Sequence, residues 1–186
     1  MWLTYCWTFS MLVLLSSCQS KKPVDDAEKG KPTMAISVTS TAFKEGEMIP
    51  AIYTCDGKNI SPPLAWSGVP QNAKSLAVIC DDPDAPRGTW THWVLYNLPA
   101  TVHSLPEGVP TTETLENGAK QGKNSGNETG YSGPCPPSGT HRYYFNIYAL
   151  DVKVKLPNGA TKDQLLQMDG HFLGQGVLMG VYARTK

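Results

Sequence analysis

The chain has 186 residues, and sixteen basic side chains balance sixteen acidic ones, for a formal net charge of zero. Balanced charge without a long run of one sign argues against a nucleic-acid footprint or a polyanion-reading patch. Fifteen prolines and seventeen glycines cut the chain into short pieces, which fits an all-β domain and argues against a helical bundle.

The first residues stand apart. The apolar run Trp7 to Leu15 is too short for a comfortable membrane span. It leads into Leu15-Ser16-Ser17-Cys18, which has the form of a bacterial lipobox with Cys18 as the residue lipidated after cleavage. The segment before the apolar run carries no Lys or Arg, a departure from that pattern, and an ordinary secretory signal is the alternative. The expectation is a lipoprotein signal peptide over 1–17, a disordered tether over 18–33 and one folded domain over 34–186. The tether is rich in Lys, Asp and Pro and has almost nothing to bury. Such a chain is exported and held at the membrane of the cell envelope by a lipid anchor, facing the periplasm or the surface. Cleavage leaves Cys55, Cys80 and Cys135, and three thiols cannot all pair with one another. Cys55 and Cys135 sit among turn residues and are the favoured disulfide, which an exported compartment permits. Cys80 ends an apolar run and reads as a buried small hydrophobe.

Along the domain, Ala35 to Ser40 alternates in period two and reads as a first strand, and Ile52 to Cys55 as a second. Asp56-Gly57-Lys58-Asn59 signals a turn. Ser61 to Trp66 then extends, with Trp66 as a core anchor. Ser75 to Cys80 is nearly all apolar, the mark of a central strand buried on both faces. His92 to Leu98 is the next strand. The stretch from Thr101 to Ser132 is a long polar loop of the kind that borders a functional site or is mobile. Arg142 to Leu150, aromatic and β-prone, is a further central strand. Thr161 and Gln164 have the spacing of a capping box, which predicts one short C-terminal helix closed by Gly170. Gly176 to Tyr182 is a last strand.

Two stretches carry the chemistry. The first runs from Cys80-Asp81-Asp82-Pro83-Asp84-Ala85-Pro86 to Trp90-Thr91-His92-Trp93, the second from Gly133-Pro134-Cys135-Pro136-Pro137 to Gly139-Thr140-His141-Arg142-Tyr143. Pro83 and Pro86 fix φ and remove amide donors, so the turn from Asp82 is stiff. The bonds into Pro83, Pro86 and Pro137 are the natural places for a cis peptide. Asp82 can orient an imidazole and make it more basic, and Asp84 reads as the better turn cap. His92 and His141 together would form a cationic, donor-lined notch for a phosphate monoester or small carboxylate. Trp90, Trp93 and Tyr143 read as core or pocket wall, and His103 and His171 as structural. A lone strand histidine is more often structural, so the pairing of two carries the expectation. Against catalysis, no G-x-S-x-G is present, and prolines and a disulfide count against Cys135 as a nucleophile with His141. A zinc or iron site from Asp82, His92 and His141 lacks any short ligand spacing. No metal or cofactor is therefore expected.

These two motifs resemble those of the phosphatidylethanolamine-binding protein family, in particular its bacterial Raf-kinase-inhibitor-like branch, and the likeness runs from about residue 35 to the end. Weaker support comes from Tyr53 to Gly57, Ser61 to Trp66 and Gly118 to Asn124. The resemblance implies a mainly all-β fold of two packed antiparallel sheets with few helices. It also implies a pocket for phosphate-like anions or phospholipid headgroups, supplied by Asp82, His92, Pro136, Pro137, His141 and Tyr143, with Pro83, Asp84 and Pro86 as the supporting turn. Bacterial members are often dimeric, so a homodimer is among the expectations. The leading expectation is non-enzymatic binding. The alternatives are a protease- or kinase-inhibiting interaction module and a metal-assisted hydrolase.

Overall fold

The computed structural model describes residues 34–184 together with Met1. The expected signal peptide, Cys18 and the tether lie outside the described residues. Two sheets form the domain, as expected from the resemblance. The larger has six strands in the order β1-β9-β8-β4-β5-β7. These are β1 (Met34–Ala35), β9 (Phe172–Ala183), β8 (Thr140–Leu150), β4 (Ser75–Asp82), β5 (Trp90–Pro99) and β7 (Lys120–Gln121). The smaller contains β2 (Ser37–Thr39), β3 (Leu64–Ser67) and β6 (Ser104–Leu105), in the order β2-β3-β6. Pairing is antiparallel throughout except where β1 lies parallel to β9.

The apolar run of β4 serves two cores at once. Leu76, Val78 and Cys80 face the small sheet and join Val38, Leu64, Trp66, Trp93, Leu95, Phe145 and Ile147 in one buried cluster. Ala77 and Ile79 face the other way, against Val94, Tyr96, Leu150, Ala160 and Leu165. A strand with apolar side chains on both pleat faces needs cover on both, and here a helix supplies the second. That helix is α1 (Lys162–Leu166). Thr161 caps it through the predicted box: its hydroxyl accepts from Gln164 N–H, and the Gln164 side chain accepts from Thr161 N–H. It ends well before Gly170, and a 3-10 turn over Asp169–His171 leads into β9.

Two strand expectations are corrected. The first strand is two short pieces, β1 and β2, separated by Ile36, whose N–H donates to Gln175. Ile52 to Cys55 is not a strand: Ala51–Tyr53 form a 3-10 turn after Pro50, closed by Thr54, whose amide and hydroxyl both donate to the Ala51 carbonyl. Gly57 belongs to that turn because a Cβ there would lie 2.2 Å from the Ala51 oxygen. The long loop before Ser132 is ordered by buried amides. Gln121 accepts from the Trp93 indole and donates to the carbonyls of Pro110 and Thr112. The Asn124 side-chain oxygen Oδ1 accepts from the backbone amides of Gly126 and Glu128. Among the described residues every peptide bond is trans, including those into Pro83, Pro86 and Pro137.

Candidate functional site

The antiparallel pairing of β4 with β8 sets Asp81 opposite Tyr144, so the carboxyl end of one strand and the start of the other share one edge of the large sheet. Asp82 and His141, 59 residues apart, meet there with His141 Nδ1 2.7 Å from Asp82 Oδ2. Both are buried, at 4% and 7% exposure. A carboxylate only accepts, so Nδ1 carries the proton and the ring turns its Nε2 outward from the pair. The other Asp82 oxygen accepts from the Asp84 amide at 2.8 Å. The turn cap is therefore Asp82, not Asp84. Asp84 instead takes a forked contact from Arg142, at 2.6 and 2.9 Å, and the Arg142 amide as well. The guanidinium hydrogen bonds hold its carboxyl down to about 2.

His92 reaches the same place by an irregularity. Cys80 pairs with Trp93, but the next residue, Asp81, pairs with Thr91, so His92 is the extra residue of a β-bulge. A bulge re-aims side chains across the sheet. Here Thr91 follows Asp81 to the outer face, where its hydroxyl donates to the Asp81 carboxylate alongside the Lys162 ammonium. Trp90 and His92 turn with Asp82 to the other side. The His92 Nδ1–H donates to the Ser132 carbonyl at 2.6 Å, and the Ser132 amide returns a bond to the His92 carbonyl. Burial holds His92 below the ordinary histidine range, against the opposing pull of the Ser132 carbonyl and Asp82. Its ring is neutral near pH 7, and Nε2 is an acceptor. The two imidazoles are thus unlike: one is clamped by a carboxylate, the other is held by a backbone carbonyl and neutral. This corrects the picture of two matched cationic donors.

Asp82, His92 and His141 open onto a cavity of about 240 Å³, whose other walls include Pro86, Trp90, Cys135, Pro136 and Pro137. Pro83 and Asp84 support the turn without lining the cavity, and Tyr143 stands behind it. Tyr143 is fully buried, with its ring edge-on to His92 at 5.2 Å between centroids. Its hydroxyl, close to Asp82, makes no hydrogen bond of good geometry within the described residues. Burial, reinforced by the Asp82 charge, keeps the phenol well above its usual range. The expected Cys55–Cys135 disulfide is present. Cys80 is buried and unpaired, and burial with Asp81 and Asp82 nearby pushes its thiol well up. Among the described residues no cluster of three or more His, Cys, Asp or Glu side chains could hold a metal ion.

Residues 39–183 match the family model for phosphatidylethanolamine-binding protein. The chain belongs to that family. It is 53% identical over 150 residues to a UPF0098 protein of Methanothermobacter thermautotrophicus, covering 80% of this chain and 99% of the relative. To the UPF0098 protein of Aquifex aeolicus it is 48% identical over 153 residues, covering 80% and 89%. Among solved structures, a phosphatidylethanolamine-binding protein homologue of Chlamydia trachomatis is 47% identical with a TM-score of 0.75, over 81% of this chain and 99% of that one. Escherichia coli YbcL, described as a new member of the mammalian phosphatidylethanolamine-binding protein family, is 34% identical with the same TM-score and the same coverage. Family membership supports a ligand-binding protein, and none of these names indicates a reaction.

The Ser132 carbonyl escaped the motif reading, and Cys135, read as a disulfide partner, also forms part of the wall. Backbone groups leave no residue-type signal. Trp90 was legible as core or wall, and strand alternation places it there only once the bulge is known.

Proposed function

We propose that this protein binds, without transforming it, a small phosphorylated anion or a phospholipid headgroup in the cavity at Asp82, His92 and His141. The observation that carries the reading is the buried Asp82–His141 pair at the cavity wall, beside a second, neutral imidazole. An anionic oxygen is best met by a doubly protonated His141, whose charge Asp82 compensates in a site shielded from water. The acceptor nitrogen of His92 suits a hydroxyl, as on a monoprotonated phosphate. One donor and one acceptor side by side fit hydrogen phosphate or a phosphomonoester better than a fully ionised carboxylate. Pro136 and Pro137 offer apolar wall and no amide donors, and Tyr143 backs the His92 ring.

The natural setting proposed is the bacterial cell envelope, with Cys18 lipidated and the 18–33 tether holding the domain near headgroups, and with a homodimer as its assembly. Membrane fractionation of the full chain and its Cys18→Ala variant tests the anchor. Titration with phosphate and phosphoethanolamine, followed by the imidazole NMR signals of His92 and His141, tests the pocket. Both rings shift if the proposal holds, and two unmoved rings at saturating ligand refute it. Phosphoethanolamine binding tighter than phosphate points to the headgroup as the natural source of the anion.

A further inference from the structure

The wall facing the two histidines is built in two unequal halves. Its first half is well tied. The Tyr131 hydroxyl donates to the Tyr53 carbonyl at 2.8 Å, Ser132 exchanges bonds with His92, and the Gly133 amide donates to the Asn59 side chain at 2.7 Å. The Pro134 carbonyl accepts from the Cys55 amide at 3.1 Å. Its second half is not. From Cys135 to Gly139, before the ladder of β8 begins at Thr140, no hydrogen bond forms among the described residues. Composition explains this: Pro136 and Pro137 have no N–H to donate, and Gly139 takes a left-handed φ of 70°. The segment nonetheless supplies three residues of the cavity, Cys135, Pro136 and Pro137. Its single cross-link is the bond from Cys135 to Cys55, 80 residues away in sequence. Both cysteines are exposed, so a thiol in solution can reach the sulfurs.

We propose that the Cys55–Cys135 disulfide is a redox latch on the ligand site, an inference that rests on the pocket reading above. A dithiol reductant cleaves it by exchange. One thiolate attacks a sulfur of the bond and forms a mixed disulfide, and the second thiol closes on the first. Two electrons and two protons pass to the protein, giving two cysteine thiols and the oxidised, cyclic reductant. With the bond gone, nothing but packing holds 135–139, and the proline wall no longer stands at a fixed distance from His92 and His141. A binding site whose wall must first be ordered binds less tightly by the fraction of time the wall is in place. By linkage, a bound anion favours the disulfide form by the same factor.

The test uses the full chain and inorganic phosphate as probe. Phosphate affinity is measured by calorimetry in the oxidised protein and in excess dithiothreitol. The Cβ carbon shifts of Cys55 and Cys135 report the bond, and far-UV circular dichroism reports the fold. The expected result is a Kd raised about tenfold or more on reduction with the β signal retained, and full recovery on reoxidation. A Kd unchanged within about twofold in protein whose cysteines are demonstrably reduced overturns the latch and leaves the pocket standing. Loss of the whole fold on reduction also overturns it, because the bond would then staple the domain rather than the wall. No phosphate binding by the oxidised protein, with both histidine rings unmoved, sinks the pocket reading and the latch together.

Discussion

Replacing Asp82 by asparagine takes one charge and one acceptor site from the most enclosed part of the pocket. The carboxylate accepts two hydrogen bonds, from the Asp84 amide at 2.8 Å and from His141 Nδ1 at 2.7 Å. An amide has one oxygen, so the side chain can serve one of these donors and must turn its NH₂ toward the other. The workable arrangement keeps the oxygen on Asp84 and forces His141 into the neutral tautomer with its proton on Nε2. A hydrogen bond to a charged group contributes roughly 1.5–3 kcal/mol and one between neutral groups about 1 kcal/mol, and both groups here are buried. Asp82→Asn should therefore destabilise the domain by about 1–2 kcal/mol, read from urea denaturation with an unchanged slope. The consequence for binding is of similar size, because the variant cannot offset the charge of a doubly protonated ring. Phosphate affinity should fall about tenfold. A variant that binds phosphate within about twofold of the natural protein would refute the role given to the pair.

Further expectations concern the surroundings of that pair. Because burial lowers the affinity of His92 for a proton, the unfolded chain binds that proton more readily below about pH 6.5. Stability is thus fully present above that pH and declines as pH falls through the folded-state value. His92→Gln should flatten this acid limb of the urea midpoint, and an unaltered limb would show that the ring is not the group responsible. Gly133→Ala places a methyl 2.4 Å from the Tyr53 carbonyl oxygen and 2.8 Å from Thr54 Cα. It should cost about 1–3 kcal/mol and weaken phosphate binding, and a midpoint equal to that of the natural protein would contradict the tight approach. Gln121→Leu strands the Trp93 indole N–H and the carbonyls of Pro110 and Thr112. A loss of about 3 kcal/mol or more in chemical denaturation is expected, and a loss under about 1 kcal/mol would mean that neighbours take over those bonds.

What could be read from residues alone follows from how local the cause is. β4 and β8 were legible because Leu76 to Cys80 is apolar throughout and Tyr143 to Leu150 is apolar or aromatic except at Asn146, which leaves few alternatives to a central strand. The Thr161 cap was legible because its two hydrogen bonds span only three residues. The Asp82–His141 meeting could be anticipated because proline-stiffened turns bracket both, although their contact depends on the register of β4 against β8. The inward turn of His92 could not: it depends on a one-residue slip of pairing between Cys80 and Asp81, and no residue type marks it. Strict alternation from Trp93 would have sent that imidazole to the opposite face. Tyr53 misled for a related reason. A β-prone Ile-Tyr-Thr run lost to Pro50 on one side and to the crowded Gly57 on the other, and tertiary packing decided the outcome.

The lattice of β4 against β8 has one more implication. The two side chains that meet at its edge are placed by backbone pairing that continues for seven residue pairs into the interior, whereas the rim facing them hangs on prolines and a sulfur bridge. Descendants of this chain can therefore exchange the rim for another sequence, and with it the guest that is admitted, while the paired acid and base stay where the interior holds them. On the proposed reading, changes of guest fall mainly on the rim, while the strands that place the pair are also the ones that hold the fold together.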